Sequence, residues 1–180
     1  AGRVLSVEAG ALTDGVGAVL FYLVAYGVGT IASFAVLGCV RTAQGDEAET
    51  FDDISGLAHR QPLLAGVMLI SVLSLLGIPP LVGFFGKIYL IGSVYQAGFT
   101  VLVVILVLNS AVSAAYYLRI ASVAFFGQPQ EGVQPVASPA RVTGATVAGV
   151  AALLLGLPGI GSVVAGSAQH AAKMQPAPQD

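Results

Sequence analysis

Residues 59–91 read HRQPLLAGVMLISVLSLLGIPPLVGFFGKIYLI, and the architecture turns on them. From Pro62 to Tyr95 run 34 residues whose one charge is Lys87. A straight helix of that length would measure roughly 51 Å, far more than the ~30 Å hydrocarbon core of a bilayer. The stretch breaks at Gly77-Ile78-Pro79-Pro80. Pro79 pushes Ile78 out of the α region, neither proline has an N–H to donate, and Gly83 and Gly86 loosen the turn that follows. Two arrangements satisfy this pattern: one discontinuous helix crossing once with a break at depth, or two short helices forming a hairpin at the prolines. Each half has about 17 residues, the lower limit for spanning. An apolar Ile-Pro-Pro-Leu turn also makes a poor aqueous loop, so the single broken crossing is preferred.

The rest of the chain agrees with a bilayer setting. Of 180 residues, 56% are hydrophobic and 9% charged, against about 25% charged in an average globular domain, and the mean hydropathy is +0.88. Residues 15–40, 61–86, 88–118 and 142–172 contain no Asp, Glu, Lys or Arg. The sequence thus predicts an all-α, polytopic transmembrane bundle with four crossings: about 15–40, 62–95 with its break near Gly77–Pro80, 99–126 and 142–165. Polar loops fill 41–61 and 127–141, and a polar tail, 169–180, is expected to be disordered. Ala1–Leu12 has neither an initiator Met nor the apolar core of a signal peptide. It is expected to be the end of an earlier segment, so that the chain is a piece of a longer protein. Five Arg, two Lys and a net charge of −2 give no basic footprint for nucleic acid. A single cysteine, Cys39, excludes a disulfide within the chain and Cys-ligated zinc or iron–sulfur centres.

Polar residues inside the crossings are few and grouped. Tyr22, Tyr26, Thr30 and Ser33 fall within about 80° of one another around the first helix. Asn109, Ser113, Tyr116 and Tyr117 fall within about 100° around the third. Each group serves either as packing glue between helices or as the lining of a hydrated path. The loop 41–61 carries five carboxylates between Asp46 and Asp53 but lacks the glycine and terminal glutamate of a calcium loop. It reads as a solvated loop, with a short helix expected over Asp52–Leu57 capped by Asp52 or Asp53. His59 is read as an interfacial residue. Arg41, Arg60 and Arg141, with Arg119 nearby, place the two long loops on the cytoplasmic side.

Lys87 is the residue that carries chemistry. A lysine at the centre of a membrane helix costs about 2.5–3.5 kcal/mol on insertion scales, so an intramembrane lysine is a functional hypothesis by default. A broken helix exposes carbonyls at the end of its first half, near Leu76–Ile78, that stabilise a cation. Desolvation favours the neutral amine and carbonyls or water the ammonium. A group balanced in this way gains and loses a proton as its surroundings change. The alternative, a lysine snorkelling to an interface, goes with the hairpin arrangement.

The segment 59–91 with its GFFGKIYL, FYLVAYGVGTIASFAVL before the polar loop, and LNSAVSAAYYLRI after it resemble the antiporter-like membrane subunits of respiratory complex I, and among them the subunit N type of bacterial NADH:quinone oxidoreductase. These share ancestry with subunits of multi-subunit sodium/proton antiporters. The resemblance covers about residues 16–127 and implies a fourteen-helix subunit of the bacterial cytoplasmic membrane, with this chain its last four helices. It implies that Lys87 is the central ionisable residue of the discontinuous helix, the proton relay. The polar faces of the first and third crossings are expected to turn toward it, with Tyr22, Tyr26, Asn109, Ser113 and Tyr117 as a supporting polar path. The family's glutamate and lysines on earlier helices have no counterpart here. No cofactor is expected in this chain; NADH, FMN, iron–sulfur clusters and quinone would belong to partner subunits, and the partners would be other membrane subunits and lipid. A cation/proton antiporter subunit without redox coupling, or a membrane scaffold with a tolerated lysine, are the alternatives.

Overall fold

A computed structural model describes residues 15–41, 48–129 and 139–155. Its regular elements are helices: α1 (Gly15–Leu37), α2 (Leu57–Arg60), α3 (Pro62–Leu76), α4 (Val82–Gln96), α5 (Thr100–Phe126) and α6 (Pro139–Leu154). By length and apolar composition, α1 and α5 each suffice to cross a membrane, while α3 and α6 are shorter apolar helices.

Proline and glycine set the limits of these elements. Pro62 opens α3 in the first turn, where its missing N–H has no helical partner to lose. Gly77 closes it with φ 87°, a conformation that side chains resist. Gly98, at φ 83°, turns the chain between α4 and α5.

α1 is the central strut and packs on α3, α4 and α6. Small residues permit this: Ala18, Ala25 and Ala32 are buried, and a methyl group added at Gly29 would lie 3.1 Å from Leu75. α3 follows the C-terminal half of α1, where Ala32, Val36, Met68 and Val72 form one core. α4 follows the N-terminal half, with Phe21 edge-on to Tyr89 at 5.4 Å. α5 lies outermost; only Ser113, Tyr117 and Ala124 are buried along its length.

Several boundaries differ from expectation. α1 stops at Leu37, and Gly38–Val40 continue in tight turns. The expected helix over Asp52–Leu57 does not form: residues 52–56 are turns, and only Leu57 is helical. The Asp53 carboxylate accepts from the Thr50 N–H (2.8 Å), the Thr50 hydroxyl (2.8 Å) and the Glu49 N–H (3.1 Å). It therefore satisfies donors upstream of itself and caps nothing downstream, and α2 starts only at Leu57, behind Gly56 at φ 65°. α6 begins at Pro139, so Arg141 is helical and its Nη1 donates to the Gly38 carbonyl at 3.2 Å. The expected continuation of the fourth crossing over 156–165 and the tail 169–180 lie outside the described residues.

Candidate functional site

The interruption between α3 and α4 is a joint in which each helix caps the other. At the end of α3, Gly77 N–H donates to Ser74 O (3.0 Å) and Ile78 N–H to Leu73 O (3.1 Å), the paired bonds of a Schellman close. The last carbonyl of α3, Leu76 O, lies outside that pair and accepts from Lys87 Nζ at 2.9 Å. In the other direction, the Gly83 N–H in the first turn of α4 donates to Ser74 Oγ at 3.3 Å. Gly83 packs so closely that an added Cβ would run into the Ser74 carbonyl.

Lys87 is half-buried and folds back over the break. Its Cδ lies 3.0 Å from where a Cβ at Gly77 would sit. The partial negative charge of a helix C-terminus and an unclaimed carbonyl lone pair meet the side-chain cation there. The lysine side of this joint was legible in the sequence. Ser74 was not, because serines in apolar helices ordinarily bond their own preceding turn, as Ser71 does to Val67 O at 2.7 Å.

Tyrosines lead away from the joint. Gly86, beside Lys87, packs against Tyr22, whose Cα would lie 3.4 Å from an added methyl. The Tyr22 and Tyr26 rings are 5.9 Å apart. The Tyr116 and Tyr117 ring centroids are 4.4 Å apart, and both residues line the same cavity as Tyr26. Tyr26, Thr30, Ser33, Tyr116 and Tyr117 line a cavity of about 650 Å³ that extends from Leu75, next to the joint, to the polar segment Ala48–Ile54. Thr30 Oγ1 is enclosed there with no hydrogen-bond partner among the described residues. Ser113 is buried and bonds the Ser110 carbonyl at 2.7 Å. Asn109 stands on the exposed side of α5 and does not line the cavity. The polar face of α1 and the Tyr116–Tyr117 end of α5 thus meet; Asn109 does not join them within this chain. Among the described residues, no group of three His, Cys, Asp or Glu side chains is placed to hold a metal ion.

Apolar helices interrupted around a half-buried lysine, with hydroxyls lying between it and a polar segment, are the features of a helical membrane protein. A family model described as "NADH:quinone oxidoreductase/Mrp antiporter, TM" matches residues 2–113, and the chain belongs to that family. Among curated relatives, it is 39% identical over 154 residues to NADH-quinone oxidoreductase subunit N of Cupriavidus taiwanensis, covering 86% of this chain and 31% of the relative. It is 42% identical over 163 residues to subunit N of Thermobifida fusca, covering 88% and 30%. The chain thus spans about a third of the length of the curated relatives it matches. Respiratory complex I from Thermus thermophilus contains a chain similar in fold, with a TM-score of 0.74 and 34% identity over 86% of this chain and 34% of that one. The Mrp complex from Dietzia sp. DQ12-45-1b contains another, with a TM-score of 0.71 and 24% identity over 90% and 38%; this likeness is one of fold.

Proposed function

We propose that this chain is part of a proton-translocating membrane subunit of NADH:quinone oxidoreductase, and that Lys87 is its intramembrane relay. The observation that carries the reading is the bond from Lys87 Nζ to Leu76 O across the helix interruption. While the joint is closed, the carbonyl stabilises the ammonium form. A small movement of α4 relative to α3 withdraws it and leaves a desolvated amine that favours losing the proton. Tyr22, Tyr26 and Tyr117, with Thr30 and cavity water, supply the hydroxyl path toward the segment Ala48–Ile54. Asn109 and Ser113 extend the polar face of α5 toward the remainder of the subunit.

We take α3 and α4 as one broken crossing, antiparallel to α1. Its support is that Leu75 neighbours Gly29 and Gly86 neighbours Tyr22 and Ala25; the two helices follow one another along α1 instead of folding back beside each other. With α1, α5 and α6 this makes four crossings of the bacterial cytoplasmic membrane, with 41–61 and 127–141 on the cytoplasmic side. The partners are other membrane subunits. NADH, FMN, the iron–sulfur clusters and quinone belong to partner subunits.

Replacing Lys87 with Ala or Met tests the reading. NADH-driven proton uptake by membrane vesicles, normalised to assembled complex, should fall, and quinone reduction should fall with it where the two are tightly coupled. Assembly should survive, because an apolar side chain there removes a desolvation cost. Normal pumping by Lys87→Ala would leave a scaffold role. Sodium-dependent transport independent of NADH would instead favour an antiporter.

A further inference from the structure

Two hydrogen bonds tie α3 to α4 across the break, and both start from one face of α4. The Gly83 N–H meets Ser74 Oγ at 3.3 Å, and Lys87 Nζ meets Leu76 O at 2.9 Å. Gly83 and Lys87 are one helical turn apart, about 6 Å along the axis. Their partners, Ser74 and Leu76, both stand in the last turn of α3.

The first of these bonds is a helix cap supplied from another helix. Leu81, at the N-cap of α4, makes no side-chain cap bond, and a first-turn N–H has no partner within its own helix. Ser74 supplies the acceptor. It is 1% exposed. Ser71, a turn earlier, returns its hydroxyl to Val67 O at 2.7 Å, whereas the Ser74 oxygen serves the helix that follows. Backbone meets backbone at the same place, because a Cβ on Gly83 would overlap the Ser74 carbonyl. Elsewhere the two halves rest on different parts of α1, α3 through Leu75 at Gly29 and α4 through Gly86 at Tyr22 and Ala25. The Ser74–Gly83 contact is thus the point at which α4 is seated on α3, and Lys87 reaches back to Leu76 O from one turn beyond it.

We propose that Ser74 is a positioning residue for Lys87: by seating the first turn of α4 it keeps the ammonium within reach of Leu76 O. The proposal deepens the relay reading and rests on it for its purpose, but the seat itself is defined by position alone. Without the Ser74 oxygen the first turn of α4 lifts more readily, and Lys87 spends less time on the carbonyl. Removing one hydrogen bond from a two-position equilibrium shifts it by about fivefold.

The test uses the complete purified complex. Acetic anhydride acylates amines that are unprotonated and unbonded, and the modified fraction of the Lys87 peptide is followed by mass spectrometry at fixed pH. Ser74→Ala should raise the labelling rate at Lys87 by about fivefold. Ser71→Ala removes an equally buried hydroxyl from the same helix and should stay near the parent rate. Ser74→Thr keeps the hydroxyl and should also stay near it. A general loosening of the helices would raise Ser71→Ala and Ser74→Ala alike. Equal rates in those two variants, or a rate in Ser74→Thr as high as in Ser74→Ala, would overturn the proposal. Where Ser74→Thr fails to assemble, the two alanine variants decide alone; where Ser74→Ala fails, Ser74→Cys, of similar shape but a weaker acceptor, takes its place. Proton pumping is not read in this assay: normal pumping by Lys87→Ala would remove the relay and leave the positioning standing, while equal labelling in the two alanine variants would remove the positioning and leave the relay.

Discussion

At the scale of single residues, Lys87 and Ser74 divide the work of closing the helix break. The lysine satisfies the last carbonyl of α3, and the serine satisfies an early N–H of α4. Ser74→Ala should therefore cost about 1 kcal/mol, the usual loss for an N-cap. Gly83→Ala should cost more, about 1–3 kcal/mol for an overpacked site, because its Cβ meets the Ser74 backbone. Gly92, in the same helix, has open space within this chain, and alanine there should be neutral or gain up to about 1 kcal/mol from helix propensity. Thermal inactivation midpoints of the purified complex should rank Gly92→Ala above Ser74→Ala and Gly83→Ala lowest. The lysine was legible because it is the one charge in the 34 residues 62–95 and follows a break that exposes helix-end carbonyls. Ser74 was hidden because its partner is nine residues away across a break, and no local pattern distinguishes it from Ser71 or Ser33.

At the scale of elements, the proline pair announced the joint and the long apolar runs announced α1 and α5. The polar segment 48–57 was read less well. Asp52 and Asp53 followed by apolar residues resemble a helix start, yet Asp53 turns back to Thr50 and Glu49, a choice between two sets of N–H donors that sequence does not decide. Those bonds, chiefly from the Thr50 N–H and hydroxyl, hold the Asp53 carboxyl below its ordinary value of 3.8. A carboxyl with a lowered folded value stabilises its turn above its unfolded value and loses that contribution as pH falls through the folded one. Hydrogen-exchange protection of the Thr50 amide should thus be level near neutral pH and decline below about 3.8. Asp53→Asn should flatten that acid dependence. A profile unchanged by Asp53→Asn would mean that the carboxylate does not organise this turn.

At the scale of the whole molecule, the described helices bury one side of the site and leave another open. α5 exposes Val101, Leu108, Val112 and Tyr116, together with Asn109. An amide facing acyl chains is expensive. In the complete subunit Asn109 should therefore face protein or enclosed water; a structure of the assembled complex with this side chain on the lipid perimeter would contradict the proposed path. The central claim, that Lys87 works by exchanging a proton and not merely by being positive, is tested most directly by Lys87→Arg. Arginine keeps the charge and the donors for Leu76 O but stays protonated near neutral pH. The measurement is NADH-driven proton uptake in membrane vesicles, normalised to assembled complex. The account predicts a complex that assembles and pumps poorly, close to the level of Lys87→Ala. Pumping at the parent rate with arginine in place would mean that the charge suffices, and the relay would be wrong.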